Sequence, residues 1–326
     1  MHEDDIKSID GIYRFYANGE LIGEQKNALT SAGRAIVIKS LMGIIPNFVD
    51  SIAFGIDSTP NTLNSASTLI TNNTLGFEIG RTKAVGNTFD AINSNDAIVF
   101  YGEIVDPYQY EIREVAVYPS TNVDSTITVD GSTLFDFDQI DLFIKNGSAS
   151  TASLTVSASA RIGTSVLSMP GNGDGTSNYI EKITDDNSLS FLSSYSSQDL
   201  FKFAFFKSHD TASGLFYTRF MTDSSNHYTL SFDIPSASGY RILTAQKGSA
   251  SITGSPSWEN ITSVRFWNGT ASTIAIDAIR SDVGTYLTDT TFGMISRAVL
   301  ATPIQKPASI PVAIQYSLLI NFSGGI

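Results

Sequence analysis

The sequence runs to 326 residues of which only 16% are charged, against about 25% in an average soluble protein, and its 43 Ser and 31 Thr make hydroxyls the main source of surface polarity. Twenty Lys and Arg face 32 Asp and Glu, a formal charge of −12, which argues against binding a phosphate backbone, while 20 Phe and 13 Tyr argue against extended disorder. There is no Cys, and only three His, at positions 2, 209 and 227. A disulfide framework, a thiolate metal site and a cysteine nucleophile are thereby excluded, and little imidazole is left for catalysis or zinc.

The opening MHEDDIKSID carries acids where a leader would be apolar, and no run approaches the roughly 18 apolar residues of a membrane span. The expectation is a product made in the cytoplasm without a signal peptide, inserted in no membrane and bound to no nucleic acid. Thr30 is placed to N-cap one short helix over 31–42, with Ala32, Ala35, Ile36 and Leu41 near helical spacing and Gly43 at its stop. Elsewhere the apolar period is two. Ile52, Phe54 and Ile56 alternate with small or polar residues, as do Ile98, Phe100 and Ile104, and then Tyr110, Ile112, Glu114 and Ala116. Farther on come Phe201/Phe203/Phe205, Tyr228/Leu230/Phe232/Ile234, Ile274/Ile276/Ala278 and the run from Val312 to Phe322. Runs of this kind between Gly, Asn, Asp and Ser turns predict a mainly β chain of two antiparallel β-sandwich domains. The stretch PGNGDGTSN at 170–178 marks a turn-rich gap, beyond which Phe, Tyr and Trp become denser. The last forty or so residues are too short to enclose a core. The predicted organisation is therefore one domain from 1–168 plus 285–326, interrupted by a second at 172–284.

Four stretches of the first domain carry a resemblance. NALTSAGRAIVIKSLMG supplies Asn27, Thr30 and Gly33; VDSIAFGIDSTPN supplies Gly55 and Asp57; LGFEIGRTKAV supplies Glu78 and Arg81; and YEIREVAVYPS supplies Ile112, Glu114, Ala116 and Tyr118. This succession resembles the structural proteins of tailed-bacteriophage virions, tail-fibre and baseplate-associated proteins in particular, although Ala116 stands where that pattern commonly has Gly. The resemblance implies a place in a virion among other virion proteins, assembled as a homo-oligomeric trimer or ring. Read from the residues alone, Glu114 shares a face with Ile112 and is a partly buried carboxylate of a structural ion pair, with Arg81 as candidate partner.

Residues 178–282 open with NYIEKITDD and close with WENITSVRFWNGTASTIAIDAIRSD. They resemble jelly-roll sandwiches of the carbohydrate-binding-module or lectin type, in which a closing strand like IAIDAI often lies near a structural Ca²⁺. Asp174 and Asp277 are the oxygen donors for such an ion; the alternative is that Asp277 hydrogen-bonds backbone amides, and no other cofactor is expected. NGDG lacks the Glu of an EF-hand loop. The resemblance implies a host-surface polysaccharide as ligand, and sugars are gripped by exposed aromatic rings amid polar side chains. The candidates are Trp258, Trp267, Tyr217, Tyr228, Arg219 and Asn260, with Tyr195, Tyr240, Arg241 and Asn226 nearby in sequence. Trp258, between turn residues in SPSWEN, is the one expected to be most exposed, whereas Phe203, Phe205, Phe232 and Phe266 are assigned to the core.

Asp136, Asp138 and Asp141, and Asp185 with Asp186, are close enough in sequence to pair for glycoside cleavage, but DFDQID reads as a solvated strand edge and no nucleophile elbow or P-loop is present. His209 reads as a turn residue and His227 as the polar face of a strand. The sequence thus points to a non-enzymatic virion component that displays a glycan-binding sandwich, with a purely architectural decoration protein as the alternative.

Overall fold

The computed structural model describes residues 6–42, 49–62, 74–92, 95–119, 131–135, 137, 142–156, 160–184, 188–282 and 294–322. From the N-terminus, β1 (Ile6–Ala17) and β2 (Glu20–Ala28) form a hairpin and α1 (Ser31–Leu41) follows. Next come β3 (Ser51–Gly55), β4 (Glu78–Lys83), β5 (Val85–Ile92), β6 (Asn95–Ile104) and β7 (Tyr110–Tyr118). The middle of the chain holds β8 (Gly131–Phe135), β9 (Ile144–Asn146), β10 (Ser153–Val156), β11 (Ser165–Met169), β12 (Tyr179–Ile183) and β13 (Leu200–Lys207). It continues with β14 (Gly214–Met221), β15 (His227–Ile234), β16 (Gly239–Gln246), β17 (Ser251–Thr253), β18 (Ser263–Asn268) and β19 (Ile274–Asp282). The chain closes with β20 (Ser296–Lys306) and β21 (Val312–Phe322). The fold is mainly β, its sheets antiparallel and sandwich-like, with one α-helix among the described residues. No helix among the described residues is long and apolar enough to cross a membrane.

Two compact units divide the chain, Met1–Val129 with Tyr286–Ile326 and Asp130–Thr285. This corrects the boundary expected at 168. Residues beyond 130 pair within the second unit, β8 on β19, β9 on β12, and the β10–β11 hairpin on β19.

In the first unit a five-stranded sheet runs β2-β1-β21-β6-β5 and a four-stranded sheet runs β20-β7-β3-β4. The C-terminal strand thus lies at the centre of the larger sheet, where Ile314, Tyr316 and Leu318 are buried together with Gln315, Ser317 and Leu319 between and beyond them. Tyr13 packs on Tyr316 with ring centroids 4.9 Å apart and meets Ser296 Oγ of β20 at 2.5 Å. The helix is capped as expected: Thr30 Oγ1 accepts the Gly33 N–H at 2.8 Å. The Thr30 hydroxyl also donates to the Met294 carbonyl. Gly33 is required by this approach, since a Cβ there would lie 2.0 Å from the Ile295 carbonyl oxygen.

Two of the motif residues of this unit, Asp57 and Glu114, meet Arg297 in one buried network. Glu114, fully buried on β7, accepts the Phe77 and Gly76 N–H groups at 2.8 and 2.9 Å and two bonds from Arg297 of β20, Nη2 at 2.6 Å and Nε at 3.0 Å. Asp57 and Asn61 reach the same guanidinium at 3.7 and 3.2 Å. Glu114 does form a structural ion pair, but the partner is Arg297 rather than Arg81. Arg81 bonds Glu78, three residues away on β4, at 2.7 Å and lies over the Tyr118 ring.

The second unit is a sandwich of two sheets, β10-β11-β19-β13-β16 with β8 also on β19, and β17-β15-β14-β18-β12-β9. Its core is phenylalanine-rich. Phe203 of one sheet stacks flat on Phe216 of the other at 4.1 Å, with Phe205, Phe232 and Phe266 also buried as assigned. At the end of β19, burial raises the Asp282 carboxyl, yet the Lys202 ammonium at 2.5 Å and the adjacent Arg280 guanidinium outweigh it and hold the group below its ordinary 3.8. A carboxyl that titrates lower when folded contributes its full stability above the unfolded value and loses it as the pH falls through the folded one. Acid unfolding of the second unit is therefore expected to begin below about pH 4. Replacing Asp282→Asn should flatten that limb of the stability–pH curve while lowering stability at neutral pH. An unchanged curve would show that the pair is not a proton-linked stabiliser.

Candidate functional site

The outer face of the β17-β15-β14-β18-β12-β9 sheet carries the candidate site, and strand parity decides what it presents. On β14, Phe216, Thr218 and Phe220 point inward, which turns Tyr217 and Arg219 outward. On β15, Leu230 and Phe232 point inward, which turns His227 and Thr229 outward. The hairpin register sets Arg219 opposite Thr229, and pairing with β18 sets Tyr217 opposite Trp267 and Arg219 opposite Arg265. Ser251 and Thr253 of β17 extend the face as partners of Thr229 and His227.

These residues enclose an open cleft of about 430 Å³, to which Asp174, Gly173 and Gly269 add the rim. Its aromatic wall is the Tyr217–Trp267 stack, with centroids 4.8 Å apart and planes 11° from parallel. The Arg219 guanidinium carbon lies 4.7 Å from the Trp267 ring centroid, with Nε donating to Thr229 Oγ1 at 3.0 Å and Nη1 to the Gly175 carbonyl at 3.2 Å. Burial, and then the like charge of Arg265, lower the Arg219 pKa. Burial followed by Arg219 and Arg265 lowers that of His227, which favours the neutral imidazole. Arg265 is itself paired with Glu181 at 3.0 Å and lies over the Tyr179 ring.

Residues 170–178 close one end of the cleft. Gly175 (φ +69°) sits so close to Trp267 that a Cβ would fall 2.8 Å from the indole, a fit open only to glycine. Asp174 orders this loop: Oδ1 accepts the N–H groups of Ser177, Thr176 and Asn178 at 2.7–3.0 Å, and Oδ2 accepts Asn178 Nδ2. Those amide bonds hold the Asp174 carboxyl far below the usual carboxylate range.

The structure thus unites Tyr217, Trp267, Arg219 and Asp174 and separates the rest. Trp267 is only 4% exposed; it is the wall's support, and Tyr217 is its accessible ring. Trp258 does not project from its turn. The ring folds back on Tyr228 (4.2 Å, 10° between planes) and on Phe220, with the Lys247 ammonium 5.1 Å from its centroid. Tyr228 has inward parity, so this second stack belongs to the opposite side of the sheet from the cleft. Asn260 is exposed but lies in the Trp258 turn, its N–H on the Ser257 carbonyl. Asn226 clamps the loop by bonding Asp223 and the Ser255 N–H. Arg241 bonds the carbonyls of Tyr240 and Ser238, and Tyr195 bonds Ser281.

Asp277 and Asp174 do not form one donor set. Asp277 is fully buried on β19, where Oδ2 accepts the Arg161 N–H at 3.0 Å and the Tyr240 hydroxyl at 2.5 Å, with Arg161 stacked on that phenol. Each carboxylate serves local N–H or O–H donors, an arrangement that does not fit a cation shared between them, and the described residues hold no group of three or more acids or His. His209 is exposed beside Ser208. Asp136, Asp138, Asp141, Asp185 and Asp186 lie outside the described residues. Thr229, Ser251 and Thr253 are the lining residues that sequence reasoning passed over; His227, read as the polar face of its strand, does line the cleft, and the same alternation along β15 would have found Thr229.

No protein-family model matches the sequence, and no curated protein does. Among solved structures, a family 11 carbohydrate-binding module from Clostridium thermocellum, in complex with a β-1,3-1,4-mixed-linked tetrasaccharide, is 15% identical over 48% of this chain and 97% of its own, at a TM-score of 0.33. Infectious bursal disease virus structures of the Gt and Gx strains are 10% and 8% identical. They cover 98% of this chain and 66% and 82% of theirs, at a TM-score of 0.20 each. TM-scores this low leave any functional reading to the chain's own geometry.

Proposed function

We propose that the second unit is a glycan-binding β-sandwich and that the outer-face cleft holds the sugar without cleaving it. The supporting observation is the cleft itself: a stacked aromatic wall, a guanidinium and a neutral imidazole beside it, and hydroxyls of Thr229, Ser251 and Thr253 along the floor. Pyranose rings need this combination of one flat apolar surface and several short polar contacts. In the same proposal the first unit anchors the protein, as a trimer or ring, in a tailed-phage virion at the fibre or baseplate. What supports this is the motif succession: Gly55, Asp57 and Glu114 sit in the buried Arg297 network, while Thr30 and Gly33 cap the helix against the Met294 and Ile295 carbonyls. Symmetric copies would raise the avidity of weak single sites by about 10²–10⁴.

The test is binding of the purified protein to an oligosaccharide array and to host cells, with mass measured in parallel. Tyr217→Ala, which truncates the accessible ring on a half-buried outer position, should weaken glycan binding about 10-fold with the fold intact. A blank array together with a monomeric mass would sink the adhesin reading. It would leave the architectural one, which has in its favour that Trp258, Trp267 and Tyr228 are all engaged in packing.

A further inference from the structure

We infer that the cleft selects acidic sugars, with Arg219 as the clamp for a carboxylate on the glycan; the inference rests on the glycan-binding reading above. Charge accounting around the cleft points there. Two arginines face this side of the sheet, and Arg265 is neutralised by Glu181 at 3.0 Å. Arg219 has no carboxylate within ion-pair distance among the described residues; its Nε and one Nη1 hydrogen go to Thr229 and Gly175. The one acid on the rim, Asp174, has its oxygens taken up by amides of its own loop. A half-buried guanidinium is thus left without a carboxylate among the described residues, in a chain whose formal charge is −12.

The geometry of what remains is directional. Stacking on Trp267 and the bond to Thr229 fix the plane of the guanidinium. Neither of its Nη2 hydrogens goes to a protein acceptor among the described residues, and Nη1 keeps a second hydrogen, which is the fork that grips both oxygens of a carboxylate. His227 lines the same cleft, and its Nδ1 has no hydrogen-bond partner among the described residues. Neutral imidazole has one donor and one acceptor nitrogen and suits a sugar hydroxyl next to the acid group. The Tyr217 ring then takes the apolar face of the same residue.

The experiment compares the whole protein against three matched oligosaccharides: a hexuronate, its methyl ester and a sulfated neutral analogue. The hexuronate is expected to bind about 10- to 100-fold tighter than its ester, with the difference shrinking as salt rises. Arg219→Gln should remove that difference, weakening the hexuronate far more than the ester, whereas Arg219→Lys, which keeps the charge but loses the fork, should retain part of it. Equal binding of hexuronate and ester by the unaltered protein would overturn the inference while the glycan reading stands. So would a preference that survives Arg219→Gln, an equal loss of both ligands in folded Arg219→Gln and Arg219→Lys, or tight binding of the sulfated analogue alone. If none of the three bound, the glycan reading itself would fall.

Discussion

Replacing Arg297→Met is expected to destabilise the first unit by about 3–5 kcal/mol, because it strands a charge and not merely a contact. Glu114 is fully buried, and Arg297 supplies two of its four hydrogen bonds. Burial already pushes the Glu114 carboxyl up from its ordinary value, and the nearby Asp57 adds to that; Arg297, and then the Phe77 and Gly76 amides, oppose it. Without the guanidinium, the carboxyl must either stay ionised with two amide donors or take up a proton and lose those donors' preference for the anion. The double replacement Glu114→Gln with Arg297→Met should recover much of the loss, since it leaves no buried anion at that position, and urea unfolding of the three variants gives the coupling directly. A single-variant loss under about 1 kcal/mol would mean that water reaches Glu114.

That network also marks where sequence reading stops. Alternation located the strands, because half-buried sheets force a period of two on the chain, and Thr30 announced the helix because an N-cap is chemistry local to four residues. The ion pair was legible as a need: Glu114 on an apolar face requires a cation. The supplier was not legible, since Arg297 is 183 residues away and only the pairing of β20 with β7 delivers it, whereas Arg81, close in sequence, is already held by Glu78. The boundary at 168 failed for a like reason. Strand partners, which composition does not encode, assign residues 131–156 to the second unit. In the cleft, Tyr217 and Arg219 were readable as residue types that suit a sugar, and it is the burial alternation of β14 that places them on one face. The loop 170–178 suggested a turn, but that Gly175 is needed there to lie against Trp267 emerges only when the indole is in place.

The two tryptophans, alike as candidates in the sequence, are expected to separate on mutation. Trp267→Ala removes the support behind Tyr217, the ring beneath Arg219 and the surface on which the glycine loop lies. As a side chain only 4% exposed, its truncation should destabilise the second unit by about 3–5 kcal/mol. Binding should fall further than in Tyr217→Ala, because stack, clamp and rim are lost together. Trp258→Ala should also destabilise, though less, since that ring is half-buried against Phe220, Tyr228 and Lys247. Its effect on glycan affinity should be small, because the ring packs on the inward side of the sheet that carries the cleft. The measurement is thermal unfolding of each variant beside its affinity for one oligosaccharide at a temperature where both remain folded. Should folded Trp258→Ala lose binding as completely as Trp267→Ala, the sugar would lie along the 255–260 turn and not in the outer-face cleft. The parity that places Tyr217 and Arg219 side by side would then serve packing alone.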